Sequence, residues 1–254
     1  MRILICFSYN GACYSGYQKQ NNAKSIQQTI ETALSDKLGQ SISLTATGRT
    51  DAGVHALCQY AHFDADLSFP AEKIVQIAKV VLPEDIKVYS AIQVADDFHA
   101  RKNVKQKTYM YVFNKNPKFI PFLKDTTTFL DQKLDVQKMQ QATKNLVGTH
   151  NFKAFCSAGS AVKDFNRTIY SIDISETEDN VVIKVCGNGF LYNMVRIMVG
   201  TLVDIGTNRL SEDCIEKMLK TGDRTLGGKT AKPQGLYLYS VEYWFKIIHN
   251  YAKH

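Results

Sequence analysis

The first hundred residues alternate between apolar runs with the period of a strand and apolar stripes with the period of a helix. Arg2–Tyr9 is a largely apolar run, which predicts a buried strand. Ser25 begins a capping-box pattern, so a helix is predicted from there to about Gly39. Further elements are predicted as strands over residues 41–46, 56–64 and 86–94, and as a helix from about Ser68 to Pro83.

The rest of the chain follows a similar plan. Residues 107–113 alternate with period two and place Tyr109, Tyr111 and Phe113 on one face, which is typical of a sheet face packed on helices. The other predicted elements are a helix from Asp135 to Gly148, a hairpin of residues 167–176 and 181–186, a helix over 190–203, a short helix over 211–220 and a last strand over 236–245.

These elements predict an α+β protein made of two α/β halves, each with a mostly antiparallel sheet and helices packed on one face. The polar and basic segment over residues 97–107 is the best candidate for the connection between them. We therefore place the halves at residues 1–104 and 105–254. A solvated linker is the simplest interpretation of such a segment.

One polar stretch, Thr45–Ala56, separates two predicted strands and contains Gly48, Asp51 and Gly53. Glycine tolerates the backbone conformations of sharp turns, so the two glycines predict a tight loop with Asp51 at its apex. A carboxylate near the guanidinium of Arg49 stays ionised, which suits a nucleophile or an anchor rather than a general acid. The simpler alternative is a turn in which Asp51 accepts hydrogen bonds from backbone amides.

The helix predicted over residues 190–203 is apolar on all sides, which indicates a buried helix. Arg196 is its one charged residue. A buried guanidinium needs a carboxylate or a phosphate as its partner. A structural ion pair inside the core and a role in an active site are both consistent with this pattern.

Composition and charge narrow the class of protein only slightly. The formal charge of +7 over 254 residues suits a polyanionic partner, although proteins that never bind nucleic acid carry similar charges. The six cysteines contain no Cys-x-x-Cys pair, so reduced thiols are expected. No signal-peptide pattern and no apolar run of membrane-spanning length is found, and we expect a cytoplasmic protein without membrane contact.

The spacing of candidate ligands argues against two kinds of cofactor site. His55, Cys58 and His62 do not form a zinc site, because His55 points away from the other two on a strand and no further cluster completes the set. Residues 222–230 resemble a phosphate-binding loop, but the position that requires the first glycine is Asp223. We therefore expect no metal, no nucleotide cofactor and no other cofactor.

Several segments together resemble a known family. Residues 48–56, Gly-Arg-Thr-Asp-Ala-Gly-Val-His-Ala, are similar to the signature loop of the TruA family of tRNA pseudouridine synthases. Further similar segments are Tyr17-Gln18-Lys19-Gln20, Phe98-His99-Ala100-Arg101, Phe190 to Arg196 and Pro233 to Leu238. The chain departs from the family pattern at Tyr17, where Trp is usual, and at Asn151, where Asp is usual.

The resemblance implies the isomerisation of uridine to pseudouridine in the tRNA anticodon stem-loop, at positions 38, 39 and/or 40, by a homodimer whose active-site cleft lies between the two halves. Asp51 is implied as the nucleophile, Arg196 as its ion-pair partner, and Tyr109 as the ring that stacks on the extruded base and as a possible proton acceptor. Substrate contacts are implied for Arg49, Tyr109, Leu236, Gln18, Lys19 and Arg101. The alternatives are a non-catalytic RNA-binding protein on the same scaffold and a paralogue that modifies another RNA.

Overall fold

The computed structural model describes residues 1–159 and 162–244. The chain forms two compact units, one made of Met1–Lys105 with the chain from Leu238 onward, and the other made of Gln106–Tyr237. No helix among the described residues is long and apolar enough to cross a membrane. The division into functional halves at residues 104 and 105 stays a prediction.

The first unit is a sheet with two helices. Its strands are β1 (Arg2–Tyr9), β2 (Thr45–Ala46), β3 (His55–Asp64), β4 (Ile86–Val94) and, from Leu238 on, β10 (Leu236–Tyr243), and its helices are α1 (Ile26–Leu38) and α2 (Lys73–Val81). The strand order is β4-β1-β3-β10, and β2 pairs with β3. β1 is antiparallel to both neighbours, with Ile5 opposite Ala61 on β3 and opposite Ala91 on β4. The predicted strands β1, β3 and β4 are confirmed, which places the Asp51 loop at the start of β3.

Helix α1 begins and ends where its capping residues predict. The Ser25 hydroxyl accepts a hydrogen bond from the Gln28 amide at 3.3 Å. At the other end Gly39 has a φ of 66°, and its amide donates to the Ser35 carbonyl at 2.9 Å. Helix α2 begins at Lys73, later than the predicted Ser68.

The strand predicted over residues 41–46 is wrong except at Thr45–Ala46. Ile42 and Leu44 are buried, as the alternating pattern suggested. Their amides, however, donate to side chains of α1: Ile42 to the Ser35 hydroxyl at 2.9 Å, and Leu44 to the Glu31 carboxylate at 2.8 Å. Side-chain acceptors therefore take the place of a neighbouring strand.

The second unit is also a sheet with helices. Its strands are β5 (Val104–Asn114), β6 (Thr128–Phe129), β7 (Gly148–Asn151), β8 (Asn166–Glu176) and β9 (Asn180–Gly187), and its helices are α3 (Ile120–Leu123), α4 (Val136–Thr143), α5 (Met194–Gly206) and α6 (Cys214–Thr221). The order β5-β9-β8-β7 is antiparallel throughout, and the short β6 is parallel to β5. The prediction of an α+β fold with mostly antiparallel pairing is confirmed.

Several element ends differ from the prediction. α4 ends at Thr143 rather than near Gly148, because the next amides bond three residues back, as Leu146 does to the Thr143 carbonyl at 2.9 Å. α5 begins at Met194 rather than Phe190, and α6 at Cys214 rather than Ser211. β10 is described to Tyr243, and the predicted strand end at residue 245 lies outside the described residues.

Candidate active site

Asp51 is the first residue of a tight turn that leads into β3. The amide of Val54 donates to the Asp51 carbonyl at 3.1 Å, which closes a four-residue turn. Gly53, the third residue, has a φ of 74°, as a type II turn requires at that position. Asp51 is half-buried. A tight turn is therefore present, as the glycine spacing predicted, and Gly53 makes it possible, but Asp51 lies at the start of the turn rather than at its apex.

The turn is held by the chain segment that follows β1. The Tyr17 amide donates to the Thr50 carbonyl at 3.0 Å, and the hydroxyls of Tyr9 and Thr50 lie 2.8 Å apart. On the other side of the turn, the Gly11 amide donates to His55 Nδ1 at 3.0 Å. None of these three bonds uses the Asp51 side chain, so the position of the Asp51 backbone is set by its neighbours.

The residues just before the turn are hydrogen-bonded to β3. Gln59 donates from its side-chain amide to the Gly48 carbonyl at 2.9 Å. The Thr47 amide donates to the Tyr60 carbonyl at 2.8 Å. Arg49, the residue that follows Gly48, is exposed to solvent. The loop therefore presents a guanidinium at the surface two residues before a half-buried carboxylate.

Arg196 lies in the first turn of α5 and is half-buried. Its Nε donates to the Ala231 carbonyl at 2.7 Å, and its Nη1 donates to Asn193 Oδ1 at 2.7 Å. The Ala231 amide in turn donates to the Arg196 carbonyl at 3.0 Å. The orientation of the guanidinium is therefore set by one residue before α5 and by one segment that runs beside the helix.

That neighbouring segment contains the sequence that mimics a phosphate-binding loop. A Cβ atom at Gly200 of α5 would lie 1.7 Å from the Lys229 carbonyl oxygen, so only glycine permits this approach. The Gly228 amide donates to the Thr201 hydroxyl at 3.1 Å. The glycines of this region therefore bring a segment close to α5, and through it the Ala231 carbonyl close to Arg196.

Tyr109 lies on β5, opposite Val185 of β9. Its ring meets the ring of Phe190 edge to face, with centroids 5.1 Å apart, and the residue is 9% exposed. Tyr111, two residues on, is fully buried and donates to the Lys232 carbonyl at 2.7 Å. Burial raises the pKa of Tyr111 to about 12. The prediction that Tyr111 is a core residue is confirmed.

The other predicted substrate contacts divide between the surface and the core. Gln18, Lys19 and Arg101 are exposed, whereas Leu236 is buried. Gln18 and Lys19 directly follow Tyr17, whose amide holds the Asp51 turn, so the first unit brings these residues into one region. Arg49 and Arg101 also belong to the first unit, and Tyr109, Arg196 and Leu236 belong to the second.

Asn193 and Ala231 are site residues that the sequence patterns did not single out. Ala231 contributes only backbone groups, which leave no signal in the sequence. Asn193 has a φ of 59°, a conformation that Asn adopts more readily than other residues with a side chain. A lone Asn at the start of an apolar helix was therefore the one available signal.

The residues rejected as zinc ligands are engaged in other contacts. Nδ1 of His55 accepts from Gly11, and Nδ1 of His62 accepts from the Ala100 amide at 3.1 Å. The sulfur of Cys58 lies 3.7 Å from that of Cys6. In residues 1–159 and 162–244, no group of three or more His, Cys, Asp or Glu side chains could hold a metal ion.

Comparison with known proteins defines the class of protein. Residues 5–101 and 142–244 match the family described as tRNA pseudouridine synthase, and the chain belongs to this family. A tRNA pseudouridine synthase A of Listeria monocytogenes serotype 4a is 46% identical over 245 residues, which are 95% of this chain and 99% of the relative. Those of Bacillus velezensis and of a Thermoanaerobacter species are 43% and 40% identical over 96% and 95% of this chain, and over 99% of each relative. The resemblance stated from the sequence is confirmed.

Proposed function

We propose that the protein isomerises uridine to pseudouridine in tRNA. The family match over most of the chain supports this activity. The observation that carries the proposal is the Asp51 turn, which holds a half-buried carboxylate on a backbone fixed from both sides. The reaction breaks the bond between ribose C1′ and uracil N1, joins C1′ to C5, releases the C5 proton and leaves N1 protonated.

In this proposal Asp51 is the nucleophile that starts cleavage of the glycosidic bond. Asp51 lies in the first unit and Arg196 in the second, so their ion pair is part of the proposal. Two hydrogen bonds to Arg196 support a fixed orientation of its guanidinium. The step needs no electron donor or acceptor, because the isomerisation has no net change in oxidation state, and we expect no cofactor.

The target base must leave the helical stack before it can react, at a cost of about a few kcal/mol. Tyr109 is proposed to stack on the extruded uracil, and its hydroxyl to accept the C5 proton. Leu236 is proposed to pack against the same base, and Arg49 to insert where the base was. The exposed side chains of Gln18, Lys19 and Arg101 supply contacts to the RNA backbone.

The finer assignments rest on the family resemblance. We propose uridines 38, 39 and/or 40 of the anticodon stem-loop as the targets, a homodimer as the active species, and the cytoplasm as its location. A non-catalytic RNA-binding protein would gain nothing from a carboxylate placed among phosphate contacts, which favours the enzyme. A paralogue with another RNA substrate is distinguished by the site of modification.

The proposed activity is tested with unmodified tRNA transcripts that carry tritium at uracil C5. The purified protein is expected to release tritium into water and to form pseudouridine at positions 38–40, which chemical mapping locates. Binding without tritium release would support a non-catalytic protein. Modification confined to another RNA, with the anticodon stem-loop untouched, would support a paralogue.

Tyr109 can be tested separately because its ring and its hydroxyl have different proposed roles. Base–aromatic stacking contributes about 1–3 kcal/mol per base, so Tyr109→Leu is expected to lower both tRNA affinity and rate. Tyr109→Phe keeps the ring and is expected to bind tRNA nearly as the wild type does, with a slower single turnover. If Tyr109→Leu behaves as the wild type, Tyr109 is a core residue that packs on Phe190.

A further inference from the structure

Asn193 immediately precedes α5 in an uncommon backbone conformation. Its φ of 59° lies in the left-handed region, which costs free energy for a residue with a side chain. The N-cap position of a helix is usually occupied by a residue in the extended region, whose side-chain oxygen accepts from a backbone amide of the first turn. Asn193 makes no such bond. Its side chain is therefore available for other partners.

Both ends of the Asn193 amide group have a partner. Oδ1 accepts from Arg196 Nη1 at 2.7 Å, and Nδ2 donates to the Ser157 hydroxyl at 3.0 Å. The Ser157 amide donates to the Tyr192 carbonyl at 3.1 Å, so Ser157 is itself held. Because Nδ2 of Asn193 is bonded to Ser157, the side-chain amide of Asn193 has one orientation, in which Oδ1 faces Arg196.

We infer that Asn193 is a positioning residue, which uses its left-handed backbone and its bond to Ser157 to aim the guanidinium of Arg196 for the isomerisation. The inference rests on the proposed role of Arg196 and adds a residue that acts through it. The Ala231 carbonyl fixes Nε, and Asn193 Oδ1 fixes Nη1. Two bonds to different nitrogens of a planar group leave it no freedom to rotate.

Glycine is the informative substitution, because it adopts the left-handed conformation without strain. Asn193→Gly removes the side chain but suits the backbone. The chain offers a matched control in Asn208, which has a φ of 58° beyond the other end of α5 and accepts from Lys138 Nζ at 2.5 Å. Asn208→Gly makes the same change in the backbone and does not involve Arg196.

Both glycine variants are expected to melt within about 4 °C of the wild type, since each exchanges side-chain bonds for a relaxed backbone. Asn193→Gly is expected to lower the single-turnover rate of tritium release by about tenfold to a hundredfold, as misplacement of an oriented group does. Its tRNA affinity is expected to be unchanged. Asn208→Gly is expected to keep the wild-type rate.

A double-mutant cycle with Arg196→Lys separates positioning from a general structural role. The ammonium of Lys has no planar fork to aim, so adding Asn193→Gly to Arg196→Lys is expected to change the rate by less than about twofold. An undiminished effect of Asn193→Gly in that background would overturn the inference. Asn193→Asp retains the acceptor oxygen for Nη1 and is expected to be faster than Asn193→Gly, and equal rates for the two would also overturn it.

The cycle also separates the inference from the proposed function. If Arg196→Lys lowers the rate and Asn193→Gly does not, the positioning role fails and the proposed role of Arg196 stands. If Arg196→Lys has the wild-type rate, the proposed role of Arg196 fails, and the inference fails with it. Tritium release by the wild-type protein tests the isomerisation itself and is independent of both results.

Discussion

The Asp51 turn and the start of α5 hold their charged residues in opposite ways. Around Asp51 the bonds that fix the loop come from its neighbours, such as the Tyr17 amide to the Thr50 carbonyl. Around Arg196 the charged side chain itself makes the bonds, to Ala231 and Asn193. These backbone bonds do not involve the Asp51 side chain, whereas substitution of Arg196 removes two bonds to its surroundings.

A variant at Asp51 keeps these backbone bonds and changes the carboxylate. A variant at Arg196 also removes two side-chain bonds, so its rate is interpreted together with its free energy of unfolding. The predictions below test this contrast, in order of their expected effect on stability.

Arg196→Met is expected to have the largest effect. It leaves the Ala231 carbonyl and Asn193 Oδ1 without their donor, and hydrogen bonds to charged groups contribute about 1.5–3 kcal/mol each. We expect the free energy of unfolding to fall by about 3–6 kcal/mol, measured by chemical denaturation. Arg49→Met is the matched control, since Arg49 is exposed and surface changes usually stay within about 0.5 kcal/mol. Equal losses of stability in Arg196→Met and Arg49→Met would contradict this prediction.

Gly200→Ala is expected to have the next largest effect. Its Cβ would lie 1.7 Å from the Lys229 carbonyl oxygen, so residues 229–231 must move away from α5. Overpacking of this kind typically costs about 1–3 kcal/mol, and the Ala231 carbonyl would move with the segment. At Gly189, a Cβ would meet only the Arg167 side chain, at 3.8 Å, and Gly189→Ala is the control. Thermal unfolding of both variants measures the difference, and a Gly200→Ala protein as stable as its control would contradict this account.

Tyr17→Phe is expected to have the smallest effect, with the opposite sign. Among the described residues the buried Tyr17 hydroxyl has no hydrogen-bond partner, and burial raises its pKa well above the ordinary value. Removing an unsatisfied buried group is expected to stabilise the protein by about 1 kcal/mol. The backbone bond from Tyr17 to Thr50 is kept.

Tyr9→Phe is the control for Tyr17→Phe, because the Tyr9 hydroxyl lies 2.8 Å from that of Thr50. The same chemical change is therefore expected to destabilise the protein at Tyr9, by about 1 kcal/mol. Melting temperatures of the two variants should lie on opposite sides of the wild type. Destabilisation by both would show that the Tyr17 hydroxyl has a partner in solution, such as bound water.

The sequence predicted those parts of the fold that depend on local pattern. The buried run of β1 and the caps of α1 at Ser25 and Gly39 led to correct boundaries, because each follows from residues next to it in the chain. The predicted strand over residues 41–46 was wrong for a nonlocal reason. Its amides bond to Ser35 and Glu31 on a helix, and no alternation of apolar residues reveals this.

The candidate site shows the same limit. The Asp51 turn was predicted because its glycines stand beside it in the sequence. Two hydrogen-bond partners of Arg196, the Ala231 carbonyl and the Asn193 side chain, were not predicted, and the first is a backbone group more than thirty residues away along the chain. The sequence also did not reveal why the segment that mimics a phosphate loop contains glycines, which its close approach to Gly200 explains.

The substitution Asp51→Asn tests the central claim most directly. The amide is nearly isosteric with the carboxylate but is not a nucleophile, and the backbone bonds from Tyr17 and Gly11 do not use this side chain. We expect no tritium release from 5-labelled tRNA and a tRNA Kd within about a few-fold of the wild type. Substantial turnover by a pure Asp51→Asn protein would contradict the assignment of Asp51 as the nucleophile.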